Sequence, residues 1–234
     1  MPTKQPTRAR FTWAVPATII VLAGLLILIV IGIGSGNPEA DPAQATSSAE
    51  IDLTTVELRN EADLMAAGPV DAPVGLVVFS DYQCPYCAQW NEETLPLMMT
   101  HAEAGDLRIE WRDVNVFGAD SARASRASYA AALQGKFWEY HNALFPNGHT
   151  LNETGLSNEA LISLATELGL DAEQFTADLN SESTYEQINT NQQLGLSLGA
   201  YSTPAFILGG QPIMGAQPSG VFEQTLQAAL ANTK

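Results

Sequence analysis

Two cysteines occur in this 234-residue chain, and they stand three positions apart in Cys84-Pro85-Tyr86-Cys87. Pro85 follows the first of them, at a position the opening turn of a helix tolerates. One helical turn brings side chains at i and i+3 together, so the pair can close a short disulfide. At a helix N-terminus, free N–H groups and the positive end of the dipole stabilise a thiolate. A thiolate of lowered pKa attacks well and leaves well. Cys84 is therefore expected to be the nucleophile, and Cys87, one turn further in and shielded, the resolving thiol. Zinc binding is the rival use of such a pair. It would require two more ligands, and His101, His141 and His149 show no paired ligand spacing. A purely structural disulfide is the other rival. Redox exchange is the chemistry expected, without a metal or a cofactor.

The elements that must hold this pair follow from two periodicities. Gly75 to Ser80 is a continuous apolar run of strand length, as a strand buried on both faces requires. Pro85 then opens a helix expected to reach about Ala104, with a kink near Pro96. Leu107 to Val114 alternates at period two and reads as a second strand, so strand, helix and strand imply a parallel crossover. Helices are expected at 122–133 and 137–145. Another carries Leu161, Leu164, Ala165 and Leu168, with Ser157 as N-cap and Gly169 just past its end. Asp171 and Gln174 resemble a capping box that opens a helix through Phe175 and Leu179. Residues 182–198 read as helical, 205–208 and 212–214 as strands around a Gly209-Gly210 turn, and 219–232 as a closing helix. The fold class is α/β, a sheet interrupted by roughly 80 helical residues that form an insertion over about 118–198.

The run Phe79-Ser80-Asp81-Tyr82-Gln83-Cys84-Pro85-Tyr86-Cys87, the helical insertion and Ser202-Thr203-Pro204-Ala205-Phe206 together resemble the DsbA-like branch of the thioredoxin superfamily. The resemblance extends from about residue 70 to the C-terminus and implies a thioredoxin-like fold with a helical insertion domain. It implies Cys84 as nucleophile, Cys87 as resolving cysteine, and Thr203-Pro204 as a cis-proline loop that faces the cysteines and docks substrate beside Pro85 and Tyr86. Two departures stand out. Many thioredoxin-like enzymes place a buried acid six residues before the first cysteine, and here that position is Val78. Asp81 is the nearest acid, and a turn residue is the reading preferred for it over a proton-handling role. The Pro-Tyr dipeptide also lacks the histidine of strongly oxidising relatives. Tyr82, Tyr86 and Trp90 are candidates for an aromatic rim, although Trp90 reads better as core. Phe137, Trp138 and Phe145 read as core of the insertion, and the three histidines as surface or capping residues.

Charge and hydropathy set the surroundings. Lys4, Arg8 and Arg10 precede a run from Phe11 to Ile33 with no charged residue, and every one of the 26 acidic residues follows it. That run is long enough at about 1.5 Å per residue to span a hydrocarbon core of about 30 Å. A cleaved signal peptide has an apolar core of only about 7–15 residues, so the length favours a retained anchor, although Gly34-Ser35-Gly36 could serve as a cleavage site. The basic residues ahead of the run place 1–10 in the cytoplasm and 11–34 in the membrane. Residues 35–50 lack any aromatic, Leu, Ile or Val and read as a flexible linker, followed by the domain over 51–234. The net charge of −16 opposes binding to nucleic acid.

The expected function is an extracytoplasmic thiol-disulfide oxidoreductase that exchanges the Cys84–Cys87 disulfide with exported polypeptides. The oxidising direction is preferred, and by resemblance a membrane redox partner would restore the disulfide. The same residues running as a reductase or isomerase are the alternative. A redox-silent, membrane-anchored binding or chaperone domain is the reading from another class, and it would keep its function with both cysteines replaced by serine.

Overall fold

The uninterrupted apolar run becomes the middle strand of a sheet. In the computed structural model, which describes residues 53–233, every residue of that strand is buried. The strands are β1 (Ala66–Ala67), β2 (Val74–Ser80), β3 (Leu107–Asp113), β4 (Ala205–Leu208) and β5 (Gln211–Met214). The helices are α1 (Pro85–Glu93), α2 (Leu95–Ala104), α3 (Ala119–Leu133), α4 (Phe137–Ala143), α5 (Asn158–Glu167), α6 (Ala172–Leu179), α7 (Glu182–Ser197) and α8 (Ser219–Asn232). The sheet order is β1-β3-β2-β4-β5, with β2 and β3 parallel and the other pairs antiparallel. Helices α1 and α2 make the crossover between the parallel strands, and α3 to α7 fill the connection from β3 to β4. This is the thioredoxin-like α/β fold with a helical insertion. The two-residue β1 is too short to carry a periodicity and was not anticipated. The expected tail 1–10, anchor 11–34 and linker 35–50 lie outside the described residues. Among the described residues no helix is long and apolar enough to cross a membrane.

Alternation along the strands sorts the core into two faces. Val74, Leu76 and Val78 of β2 share one cluster with Leu107, Ile109 and Trp111 of β3 and with Trp90, Met98, Phe222 and Leu226 from the helices. Both cysteines belong to that cluster, so the pair is built into the larger core rather than set on its edge. Val77 and Phe79 point the other way and pack with Val56, Val114, Ala205 and Ile207. The insertion continues the first face through Phe137, Tyr140, Phe145, Leu161 and Phe175.

The long helix expected from Pro85 to Ala104 is two helices. α1 ends at Glu93, Thr94 adopts φ −124 and ψ −40, and α2 restarts with Pro96 in its first turn. Proline has no N–H to donate and its ring collides with the carbonyl four residues back, so a break replaces the kink. α2 then ends on left-handed Gly105.

α7 lies close over the second face, and Gly195 allows it. A Cβ there would meet Val114 Cγ2 at 2.5 Å and Phe79 Cδ1 at 3.1 Å. Alanine in place of glycine favours a helix by about 1 kcal/mol, but forcing a methyl against a stiff β-branched side chain costs about 1–3 kcal/mol. The second effect wins. Gly195→Ala should lower the urea midpoint with an unchanged m-value, and an equal or higher midpoint would show that the helix moves away freely.

The strand β3 carries charge where the alternation puts its other face. Arg108, Glu110 and Arg112 are all buried. The carboxylate of Glu110 accepts the backbone N–H of Leu58 at 3.0 Å and of Arg59 at 2.8 Å, and it pairs with Arg112 at 2.8 Å. Arg112 also reaches Asp63 at 2.7 Å, and Arg108 donates to the carbonyls of Gly68 and Asn60, each at 2.8 Å. These bonds hold the chain from 57 to 63 against the sheet edge.

Candidate active site

Cys84 is the N-cap of α1. Its backbone is extended, at φ −83 and ψ 116, and its Sγ accepts the N–H of Cys87 at 3.4 Å. The thiol of Cys84 donates to the carbonyl oxygen of Thr203 at 3.2 Å. That contact brings the loop ahead of β4 onto the cysteine pair, and the Thr203–Pro204 peptide is cis. The sulfurs are unbonded to each other, and both cysteines are buried, at 2% and 1% exposure. Surface exposure therefore does not separate their roles as the sequence suggested. Ionisation does.

The hydrogen bond from the Cys87 thiol does most to pull the Cys84 pKa from 9.0 down to about 6. Thr203 and the N–H groups of Cys87 and Tyr86 add to it, against burial. Thr203 Oγ1 is buried and makes no hydrogen bond; the Thr203 contact with the thiol is through the carbonyl. The carbonyl contact suits the thiol, whereas the helix N–H groups suit the thiolate. Burial pushes Cys87 the opposite way, well above its ordinary value, and the neighbouring Cys84 adds to the rise. The pair therefore contains one ready thiolate and one thiol held in reserve.

Asp81 is a turn residue, as read. Its carboxylate accepts the N–H of Gln83 at 2.7 Å and of Phe117 at 3.0 Å, which fixes the loop that delivers Cys84. Val78 is fully buried in β2, so no acid occupies that position. Tyr82 is not part of a rim, because it is 1% exposed and stacks on Phe145. Its hydroxyl meets His141 Nδ1 at 2.9 Å, and His141 Nε2 meets Asn91 Oδ1 at 2.6 Å. With the Asn91 oxygen accepting, the imidazole carries its proton on Nε2 and accepts from Tyr82. His141 is thus a fully buried link between α1 and α4, and burial lowers its pKa to about 3, which corrects the surface reading. His101 pairs with Glu223 at 2.9 Å, and His149 is exposed, as expected. Trp90 is core.

Tyr86 is 65% exposed and Pro85 is also exposed, so both face outward beside the cysteines. Three apolar side chains that sequence reading passed over are exposed on the neighbouring loops and edge. Tyr201 leads into Thr203, Met214 pairs with Ala205 across the β4–β5 ladder, and Phe117 follows the Asp81 clamp. Asp113, at the end of β3, was missed as well. It is completely buried, and its pKa is raised by burial to about 7. Among the described residues, no group of three His, Cys, Asp or Glu side chains is placed to hold a metal ion.

Residues 75–227 match the family model of the DSBA-like thioredoxin domain. The chain belongs to that family. This DSBA-like chain is 28% identical over 148 residues to "Probable disulfide bond formation protein D" of Bacillus cereus, covering 61% of this chain and 68% of that protein. It is 33% identical over 171 residues to a Na(+)/H(+) antiporter NhaA of Herminiimonas arsenicoxydans, covering 71% of this chain and 26% of the antiporter. It therefore spans about a quarter of that relative's length. A solved thioredoxin-like oxidoreductase from Silicibacter pomeroyi DSS-3 superposes with a TM-score of 0.63 at 28% identity, over 74% of this chain and 95% of that one.

Proposed function

We propose that this protein is an extracytoplasmic thiol-disulfide oxidoreductase that passes the Cys84–Cys87 disulfide to reduced, exported polypeptides. The observation that carries the proposal is the placement of the pair, with Cys84 at the N-cap of α1 against the Thr203 carbonyl and Cys87 buried one turn behind it; the pKa values move apart accordingly, Cys84 down and Cys87 up. A substrate thiolate attacks Cys84 Sγ and Cys87 leaves, giving a mixed disulfide. A second substrate thiolate then attacks the substrate sulfur, and Cys84 departs as a stabilised thiolate. Both cysteines finish reduced and the substrate holds the disulfide. Thr203 and Pro204 dock the substrate backbone, and Pro85 and Tyr86 flank it, with Tyr201, Met214 and Phe117 offering apolar contacts to an unfolded chain. Residues 11–34 anchor the domain outside the cytoplasm, and a membrane redox partner withdraws the electrons.

A more acidic nucleophile makes a more oxidising pair, because the reduced form is the one stabilised. A thiol pKa near 6 lies between about 7 for thioredoxin and about 3.5 for DsbA. The position is closer to thioredoxin, and it favours the reductase or isomerase reading as the second. The relative named as a disulfide bond formation protein favours the oxidising one. Equilibration with glutathione buffers decides: a potential more positive than about −200 mV supports an oxidase, and one near −270 mV reverses the direction. Refolding of a reduced, disulfide-containing protein by the oxidised domain provides the activity itself, and a double cysteine-to-serine variant that retains it would reinstate the binding-module reading.

A further inference from the structure

Asp81, Tyr82 and Gln83, the residues just ahead of Cys84, are each held from the connection between β3 and β4. Phe117, before α3, donates its N–H to Asp81 Oδ2 at 3.0 Å, and the Ser121 hydroxyl of α3 donates to Gln83 Oε1 at 2.9 Å. Between them the Tyr82 hydroxyl meets Nδ1 of His141, from α4, at 2.9 Å, and Nε2 of the same ring meets Asn91 Oδ1 at 2.6 Å. The first two contacts hold only the loop. The third does more, because Asn91 lies one turn beyond Cys87 on the same buried side of α1. A single imidazole therefore ties the loop that carries Cys84 to the helix face that carries Cys87.

Filling space does not require a histidine there. The ring packs among Trp111, Phe137, Trp138 and Phe145, where an apolar side chain would fit without any buried hydrogen bond to satisfy. Tyr82, Asn91 and His141 are each 6% exposed or less, so water does not compete for the two bonds. Burial lowers the His141 pKa to about 3 and raises that of Tyr82, which leaves a neutral ring between a donating hydroxyl and an accepting amide oxygen wherever thiols exchange.

We propose that His141 is a positioning residue for disulfide exchange, which from the insertion holds the Cys84 loop against α1 and so keeps the two sulfurs within bonding reach of each other. The inference rests on the proposed exchange activity of the pair and concerns how far its equilibrium lies toward the disulfide. Closure joins Cys84 Sγ to Cys87 Sγ. The two thiols give up two electrons and two protons, and glutathione disulfide takes them up and becomes two molecules of glutathione. While His141 holds both ends, the reduced pair is already ordered and closure loses little further freedom. Without it the loop moves independently of the helix, and closure must order it again. Ordering the backbone of one residue is worth about tenfold in an equilibrium constant, so loss of the link should make the disulfide about tenfold easier to reduce.

The test is the equilibrium constant of the pair in glutathione buffers at pH 7, measured with the urea midpoint for the wild type, Tyr82→Phe, His141→Phe and the double variant. Phenylalanine keeps a ring at both positions and removes the hydrogen bonds. His141→Phe should favour the reduced form by about tenfold, which is a potential about 30 mV more positive, and Tyr82→Phe should move it in the same direction. With phenylalanine at 141 the Tyr82 hydroxyl has lost its imidazole, so the double variant should match His141→Phe rather than add to it. The alkylation midpoint of Cys84 in each variant gives the part of the shift that comes from thiol acidity, and that part is subtracted. A merely structural role would lower the urea midpoint and leave the corrected constant where it was. A corrected constant for His141→Phe within about threefold of wild type, or shifted toward the disulfide, overturns the proposal. Should His141→Phe fail to fold, Tyr82→Phe, which loses one hydroxyl, decides alone by the same criterion. A wild type that forms no disulfide in these buffers would remove the proposed function, and this inference with it, whereas unchanged variants remove the inference only.

Discussion

Cys84→Ser should reduce disulfide transfer to the uncatalysed rate, whereas Cys87→Ser should still attack a substrate disulfide and then accumulate mixed disulfides that run as larger species on non-reducing gels. The asymmetry follows from the position of each sulfur. Cys84 caps the helix against Thr203, and its lowered pKa makes it the sulfur expected to attack. Cys87 is on the buried face of the first turn of α1, where burial keeps it protonated until a mixed disulfide is there to be resolved. Alkylation by iodoacetamide should report the same order, with Cys84 titrating at a midpoint near pH 6 and Cys87 unreactive there. Because the Cys87 thiol is the main cause of that low value, Cys87→Ala should shift the Cys84 midpoint upward. The sign for stability follows. A depressed thiol pKa contributes stability that is complete above the unfolded value of 9.0 and is lost as pH falls through about 6. The reduced protein should therefore lose its advantage over the oxidised one across that window, read as converging melting temperatures. Equal alkylation rates for the two cysteines, or a midpoint near 9.0, would reverse or remove the assignment.

What the residues disclosed beforehand depended on whether the signal was local. The strand at 74–80, the start of α1 at Pro85, and the caps at Ser157 and Asp171 are set by neighbours in the chain, and each formed near where it was expected. Cys84 and Cys87 were legible for the same reason, since one helical turn defines their relation. The Thr203-Pro204 loop was legible only through resemblance, because nothing local says that residue 203 meets residue 84. Tertiary burial was the part out of reach. His141 sits in a mixed stretch, Phe-Trp-Glu-Tyr-His-Asn, that reads as half exposed, and the packing of Tyr82, Asn91 and the Trp111 and Phe145 rings around it explains its depth. Asp113 ends an alternating strand where an acid would suit solvent. It is buried because the insertion closes over the strand ends, a long-range event that no period in the sequence encodes.

Glu110→Ala should destabilise the domain by about 3–5 kcal/mol, the cost of removing one partner from a buried ion pair. The strand pattern Leu-Arg-Ile-Glu-Trp-Arg-Asp places Glu110 on what reads as a polar, solvated face, where a surface pair would contribute about 0–1 kcal/mol. Instead Glu110 is 1% exposed and serves two backbone N–H groups and Arg112 at once. Truncation leaves the N–H groups of Leu58 and Arg59 without their acceptor and Arg112 with Asp63 as its one remaining carboxylate. Glu110→Gln keeps the volume and one acceptor oxygen but loses the charge, so it should fall between the wild type and Glu110→Ala. The loss should be concentrated where the bonds are. Segment 57–63 should open before the sheet does, and trypsin should cut after Arg59 in the variant under conditions that leave the wild type intact. The cysteines lie in the cluster on the opposite face of the sheet. The Cys84 alkylation midpoint should therefore stay near 6 in folded Glu110→Gln. A wild-type urea midpoint for Glu110→Ala would show that the carboxylate contributes no more than a surface pair does.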